Sequence, residues 1–235
     1  MKEKRNEINR RNFLKTMGAA GLGSVFASSN LKAGADEVSA ADSKAEAEAQ
    51  KPEFPHVPKR TLGKTGVHVP ILSLGTVFDL VDNQVILKSA LQWGVNYWDT
   101  ATNYAGGNSE LGIGKYLTQN PGMREKLFIV SKPPDISTPL PDLADVEKQL
   151  QDSLKRMNTD YIDVYLAVHG LRNPDQLTNE LKQWIEEAKK RGVIKFSGYS
   201  THRNMAQCLT STAKLNWIDV VMTRYDFRLM QNAEM

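Results

Sequence analysis

The sequence has little that could cross-link it or bind a metal through sulfur. Cys208 is the only cysteine among 235 residues, which excludes an internal disulfide and any cysteine-based zinc or iron–sulfur site within them. No GxGxxG motif follows the first apolar run, and this counts against an open dinucleotide-binding sheet. The formal net charge is +3, but residues 1–35 hold seven Lys or Arg and two acids, a local +5 that leaves −2 for the remainder. This distribution gives no support for a nucleic-acid-binding surface.

The first 35 residues have the pattern of an export signal. The stretch NRRNFLK at residues 9–15 carries paired arginines, a weakly apolar Gly- and Ala-rich run follows at residues 17–27, and residues 33–35 read AGA. The run is shorter than the roughly 20 strongly apolar residues that a membrane span requires. Residues 1–35 therefore resemble a twin-arginine signal peptide, although a basic disordered terminus is the alternative. The resemblance implies the twin-arginine export machinery as a partner, a periplasmic location and no stable membrane anchor.

Residues 36–58 are rich in Ala, Glu, Lys and Ser and show no apolar periodicity, which predicts a flexible linker. Beyond them, short apolar runs alternate with longer segments of helical spacing, and this predicts parallel βαβ units. The clearest helical segment is 174–190, which has one apolar stripe. The stretch PKRTLGKTGVHVP before the first run predicts a small hairpin. The six predicted strands, which fit either a barrel or a doubly wound sheet, lie at about 71–75, 95–98, 127–131, 162–168, 194–198 and 217–222.

Reactive side chains follow three consecutive predicted strands. Asp99 comes after the second strand, Lys132 after the third and His169 after the fourth. In a parallel barrel the carboxyl ends of the strands share one face, where such enzymes build their active sites. We therefore expect these three residues to converge, with Tyr104 of the following loop within reach. Each also has an ordinary explanation: a helix cap for Asp99, a solvated lysine, a buried histidine and a core aromatic.

These four side-chain types suit proton donation from a phenol. A free phenol titrates at about pH 10, which is too high for an effective acid at neutral pH. A neighbouring ammonium lowers the pKa of a phenol, and a carboxylate paired with that ammonium keeps it charged and fixed. A neutral imidazole beside the phenol can orient and polarise a carbonyl. The set could reduce a carbonyl to an alcohol if another group supplied hydride.

Five stretches lie in the order and at the spacing of aldo/keto reductase landmarks, so residues 59–227 resemble that family. The resemblance implies a (β/α)8 TIM barrel in which Asp99, Tyr104, Lys132 and His169 are the catalytic tetrad. It also implies hydride transfer from NADPH or NADH to an aldehyde or ketone, with Tyr104 as the proton donor. The stretches are RTLGKTGVHVPILSLGT, WDTATNYAGGNSELGIGKYL, FIVSKP, LKRMNTDYIDVYLAVHG and GVIKFSGYST.

The same resemblance implies four cofactor-binding residues. Ser200 and Thr201 would bind the amide of the nicotinamide, although asparagine is usual at the position of Thr201. Met222 stands where glutamine is common and could equally be core packing, and Tyr225 matches the aromatic residue on which the nicotinamide stacks. No metal is expected within these residues.

The resemblance stops after the sixth predicted strand, whereas an eight-stranded barrel takes about 250 residues. We therefore expect residues 59–235 to be the N-terminal three-quarters of a barrel and the sequence to be C-terminally incomplete. We expect this piece alone to bind the cofactor weakly. Two alternatives remain open: an aldolase forming a Schiff base through Lys132, and an exported non-catalytic cofactor-binding or sensor module on the same scaffold. The carbonyl substrate is not identified by the sequence.

Overall fold

The computed structural model describes residues 54–135 and 142–231, so the predicted signal peptide and most of the predicted linker lie outside the described residues. The strands are β1 (Lys59–Thr61), β2 (His68–Pro70), β3 (Leu74–Gly75), β4 (Tyr97–Asp99), β5 (Phe128–Ser131), β6 (Ile162–Val168), β7 (Ile194–Thr201) and β8 (Val220–Thr223). The helices are α1 (Gln84–Gln92), α2 (Asn108–Gln119), α3 (Leu143–Met157), α4 (Asn179–Lys190) and α5 (Met205–Thr212).

Strands β3 to β8 form one parallel sheet of six strands in sequential order, and each of the five helices connects two successive strands. A doubly wound sheet reverses its strand order at a switch point, whereas a barrel places each strand beside its predecessor. The observed order therefore decides between the two predicted architectures. The sheet is six consecutive strands of a (β/α)8 TIM barrel.

The two faces of the sheet bury different apolar layers. Phe128 and Val130 of β5 belong to an inner cluster, whereas Ile129 between them packs in the larger cluster shared with the helices. This alternation follows from the two-residue period of a strand. The antiparallel β1–β2 hairpin adds Val69 to the inner cluster, where it joins Val220 at the start of β8. The predicted hairpin is thus confirmed, and it covers the inner layer at the end where the strands begin.

The predicted helix at 174–190 begins later than expected. Pro174–Gln176 forms a separate 3-10 turn that is closed by a capping box from Asn173. Helix α4 then starts at Asn179, because the side chain of Thr178 accepts a hydrogen bond from the backbone of Leu181 and caps a new first turn. The prediction of one continuous helix was therefore wrong, because the second cap, at Thr178, separates the turn from the helix.

Candidate active site

Strands β4, β5 and β6 bring the predicted reactive residues to one edge of the sheet. Asp99 is the last residue of β4, and Lys132 and His169 directly follow β5 and β6. Asp99 is in register with Val130 near the end of β5, so the two strand ends are level. Tyr104 opens a 3-10 turn in the connection from β4 to α2. The structure therefore places three of the residues at the carboxyl ends of neighbouring strands and Tyr104 in the loop that follows the first of them.

Lys132 is the centre of this arrangement. Its Nζ donates to Oδ1 of Asp99 at 2.7 Å and to the carbonyl oxygen of Thr100 at 2.9 Å. The lysine side chain is 2% exposed and the aspartate side chain 14% exposed. Burial raises the pKa of Asp99, and the neighbouring Lys132 ammonium opposes that rise. The Nζ also lies 4.9 Å from the ring centroid of Tyr104, so a fixed ammonium faces the phenol.

The chain reverses sharply after Tyr104. Its backbone N–H donates to the carbonyl oxygen of Ala101 at 3.1 Å, and the next three residues all adopt positive φ. The φ values are 50° at Ala105, 65° at Gly106 and 98° at Gly107. Alanine rarely occupies this left-handed region, and such strain persists only where the surrounding structure enforces it. The tyrosine therefore lies at the start of a strained turn that leads directly into α2.

His169 is held by a backbone group of the neighbouring loop. Its Nδ1 lies 2.7 Å from the carbonyl oxygen of Pro133, and since a carbonyl can only accept, Nδ1 carries a proton and donates it. Burial is the main cause that lowers the pKa of His169, and it outweighs the hydrogen bond to Pro133, which acts to raise that pKa. The imidazole is therefore neutral at neutral pH, and its Nε2 is a hydrogen-bond acceptor. This geometry favours orienting a hydroxyl over polarising a carbonyl through an N–H.

Ser200 and Thr201, at the end of β7, already make hydrogen bonds within the protein. The Oγ of Ser200 accepts from the backbone N–H of Gly170 at 3.1 Å, which leaves its own proton free to donate. The single hydroxyl proton of Thr201 is shared between the carbonyl oxygens of Leu171 and Arg203, which lie 2.7 Å and 2.8 Å from Oγ1. Of the two hydroxyls, that of Ser200 is therefore the better placed to donate to a ligand.

Met222 and Tyr225 differ in their surroundings. Met222 in β8 is partly buried and packs against the inner apolar cluster. Tyr225 follows β8 and is 60% exposed, so one face of its ring is accessible.

Among residues 54–135 and 142–231, no group of three or more His, Cys, Asp or Glu is arranged to hold a metal ion. No helix within those ranges is long and apolar enough to cross a membrane.

Two backbone oxygens were missed by the sequence analysis. The carbonyl of Thr100 accepts from Lys132, and the carbonyl of Pro133 fixes the ring of His169. Every residue carries a carbonyl oxygen, so residue type gives no signal for such contacts. They follow only from how the strand ends and loops are placed.

The sequence matches the aldo/keto reductase family over residues 72–235. An aldo-keto reductase of Alternaria alternata is 29% identical over 217 residues, which are 74% of this chain and 58% of that protein. The methylglyoxal reductase of Escherichia coli O157:H7 is 35% identical over 134 residues, which are 55% of this chain and 44% of that protein. The solved holo form of an aldo-keto reductase from Bacillus halodurans has a TM-score of 0.61 at 30% identity, covering 72% of this chain and 58% of that one. The chain spans about half the length of the curated relatives it matches.

Proposed function

This chain belongs to the aldo/keto reductase family, and on that premise we propose that it reduces aldehyde or ketone carbonyls to alcohols with NADPH or NADH and that Tyr104 donates the proton. The observation that carries the proposal is the placement of Lys132. Its ammonium is bonded to Asp99 and faces the Tyr104 ring at 4.9 Å. The ammonium is thereby placed to balance the negative charge that a phenol acquires when it gives up its proton.

The residues predicted to contact a nicotinamide fit such a group in two places. The exposed ring of Tyr225 offers an aromatic face for stacking, and the hydroxyl of Ser200 retains a proton that could be donated to an amide oxygen. The hydroxyl proton of Thr201 is already donated within the protein, to the backbone carbonyls of Leu171 after β6 and Arg203 after β7. A bound nicotinamide cofactor supplies the hydride in this chemistry.

Each of the four polar residues then has a distinct role in the proton transfer. Tyr104 gives its phenolic proton to the oxygen of the reduced substrate, and Lys132 stabilises the phenolate that remains. Asp99 keeps the ammonium in place through their 2.7 Å bond. His169 uses Nδ1 to donate to Pro133, so its Nε2 would accept a hydrogen bond from a hydroxyl in the site and orient it.

The aldolase alternative needs an uncharged amine at Lys132 to attack a carbonyl. The structure instead engages that nitrogen in two hydrogen bonds, to the Asp99 carboxylate at 2.7 Å and to the Thr100 carbonyl at 2.9 Å. Borohydride trapping of a carbonyl compound on Lys132 would support the aldolase. We propose the reductase because the same ion pair that hinders Schiff-base formation holds a positive charge beside the Tyr104 ring.

The substitution Tyr104→Phe tests the proposal. We expect kcat for NADPH-dependent reduction to fall about 10²- to 10⁴-fold, the usual contribution of a positioned acid, while NADPH binding measured by tryptophan fluorescence stays the same. Methylglyoxal, named for the E. coli relative, would be tested with a panel of other aldehydes and ketones. The matched control is Tyr161→Phe, because the ring of Tyr161 stacks with Arg124, 3.7 Å from its centroid, just before β6 begins. Retention of most activity by Tyr104→Phe would refute the assigned role.

A further inference from the structure

Two consecutive buried side chains in the first turn of α2 reach the two strand ends that carry the Asp99–Lys132 ion pair. Ser109 and Glu110 are both fully buried. Ser109 bonds to the end of β4, and Glu110 bonds to the end of β5. The helix to which they belong begins directly after the strained turn that follows Tyr104. One dipeptide therefore connects three segments of the proposed site.

The hydroxyl of Ser109 is the middle one of three hydroxyl groups that are linked by hydrogen bonds. It lies 2.7 Å from Oγ1 of Thr100 and 2.6 Å from Oγ1 of Thr76. Thr76 in turn donates to the carbonyl oxygen of Asp99 at 2.8 Å. Because the hydroxyl proton of Thr76 is donated to that carbonyl, Thr76 must accept from Ser109, and Ser109 must accept from Thr100. The hydrogen bonds therefore all point one way, towards the Asp99 carbonyl. Together they hold the Asp99–Thr100 segment, whose Asp99 carboxylate and Thr100 carbonyl provide the two oxygens that Lys132 contacts.

The carboxylate of Glu110 makes the second connection. Its Oε1 accepts from the hydroxyl of Ser131 at 2.6 Å, and its Oε2 accepts from Nε of Arg156 at 2.7 Å. Ser131 directly precedes Lys132, and successive side chains of a strand point to opposite faces. The strand thus sends Ser131 towards the helices and Lys132 towards the site. A carboxylate with no exposed surface would be strongly unfavourable without these partners.

We propose that Ser109 and Glu110 are positioning residues, which keep the Tyr104 turn at a fixed distance from the Lys132 ammonium. The inference rests on the proposed function, since that distance matters for carbonyl reduction only if Tyr104 is the proton donor. Neither residue touches the phenol or the ammonium directly. They act through Thr100 and Ser131, the residues next to the two members of the ion pair.

Two single-hydroxyl deletions test this with little change in volume. In Ser109→Ala and Ser131→Ala we expect kcat to fall about 10-fold or more while KM changes less than about 2-fold, because misplacing reacting groups by even about 1 Å is costly. Thr118→Ala is the matched control, since this hydroxyl of the same helix donates to the carbonyl of Gly114 at 2.9 Å and accepts from Asn158 at 3.0 Å, and neither partner is at a strand end. We expect Thr118→Ala to keep the kcat of the unmodified chain. Rates are compared per folded molecule, with the folded fraction measured by circular dichroism.

A second readout does not depend on activity. Acetic anhydride labelling followed by peptide mass spectrometry measures access to the Nζ of Lys132, with the 69% exposed Lys148 as the internal standard. We expect labelling of Lys132 relative to Lys148 to rise about 3-fold or more in Ser109→Ala and Ser131→Ala but not in Thr118→Ala, because only the first two release the strand ends.

The two readouts separate the two proposals. If the unmodified chain reduces no carbonyl compound, the proposed function fails, and labelling alone decides whether Ser109 and Ser131 fix Lys132. Unchanged labelling in both variants would overturn the positioning inference, whatever their activity. A fall in rate that merely matches the loss of folded protein would overturn it as well.

Discussion

Breaking the buried ion pair by Lys132→Met should destabilise the fold strongly. At 2.7 Å the attraction between the two charges is about 6 kcal/mol for an effective dielectric constant of about 20. The cost of removing both ions from water offsets much of this attraction, so the pair adds little net stability. Removing only the lysine leaves the 14% exposed Asp99 carboxylate without its partner. We therefore expect the free energy of unfolding at neutral pH to fall by about 3–5 kcal/mol.

The same substitution should change the pH dependence of stability. Burial raises the pKa of Asp99, and the Lys132 ammonium that opposes this is absent from the variant. The folded variant then binds a proton more tightly than the unfolded chain, so its stability is greatest at acid pH and is lost as the pH rises through the raised pKa. The difference in unfolding free energy between the variant and the unmodified chain should therefore be smaller at acid pH than at neutral pH.

Urea unfolding followed by tryptophan fluorescence measures both effects, since Trp98 is fully buried next to Asp99 in β4. The double variant Asp99→Asn, Lys132→Met is the control, because it leaves no unpaired charge and should cost less than Lys132→Met alone. A cost below about 1 kcal/mol at neutral pH, or a cost equal at both pH values, would refute the reasoning.

Two further predictions concern stability away from the ion pair. A Cβ at Gly198 would overlap the carbonyl oxygen of Val220, so Gly198→Ala should cost at least about 3 kcal/mol in thermal unfolding. Gly75 has open space around it, so Gly75→Ala should change stability by less than about 1 kcal/mol. Equal effects would contradict the packing of β7 on β8. Hydrogen bonds from Arg191 are the main cause that lowers the pKa of Glu147 to about 2. This carboxylate therefore stabilises the fold above its ordinary pKa of 4.5, and the stabilisation is lost as the pH falls towards about 2. Glu147→Gln should lower the free energy of unfolding in urea by about 1 kcal/mol or less at about pH 6 but not at about pH 2. A loss that does not depend on pH would count against this ion pair.

The convergence of the four predicted residues was accessible from the sequence, because parallel strands of a barrel end on one face and Asp99, Lys132 and His169 each follow a recognisable apolar run. The orientation of the histidine was not accessible. It depends on the carbonyl of Pro133, in a loop whose path no periodicity reveals. The choice between a barrel and a doubly wound sheet also required the strand order, since alternating strands and helices are common to both.

The role of Glu110 could not be predicted for a different reason. In the sequence it is an acid in the first turn of a helix, a position where acids are favoured because of the helix dipole and are commonly exposed. Its burial follows from two distant residues, Ser131 on β5 and Arg156 on α3, which reach it only after the helices pack on the sheet. Local pattern therefore indicates a surface residue at a position where tertiary contacts enclose a charge.

Two ion pairs and a strained turn lie within a few residues of Tyr104. The pairs Asp99–Lys132 and Glu110–Arg156 are largely buried, and the turn places Ala105 at a φ of 50°. Buried ion pairs contribute little net stability compared with apolar residues of similar size, and left-handed alanine costs free energy. Stability alone would favour apolar side chains and glycine at these positions. Their occurrence around one phenol is better explained by the geometry they enforce, because each charge pair accepts few alternative arrangements, and a proton donor works only when its partner is held at a fixed distance.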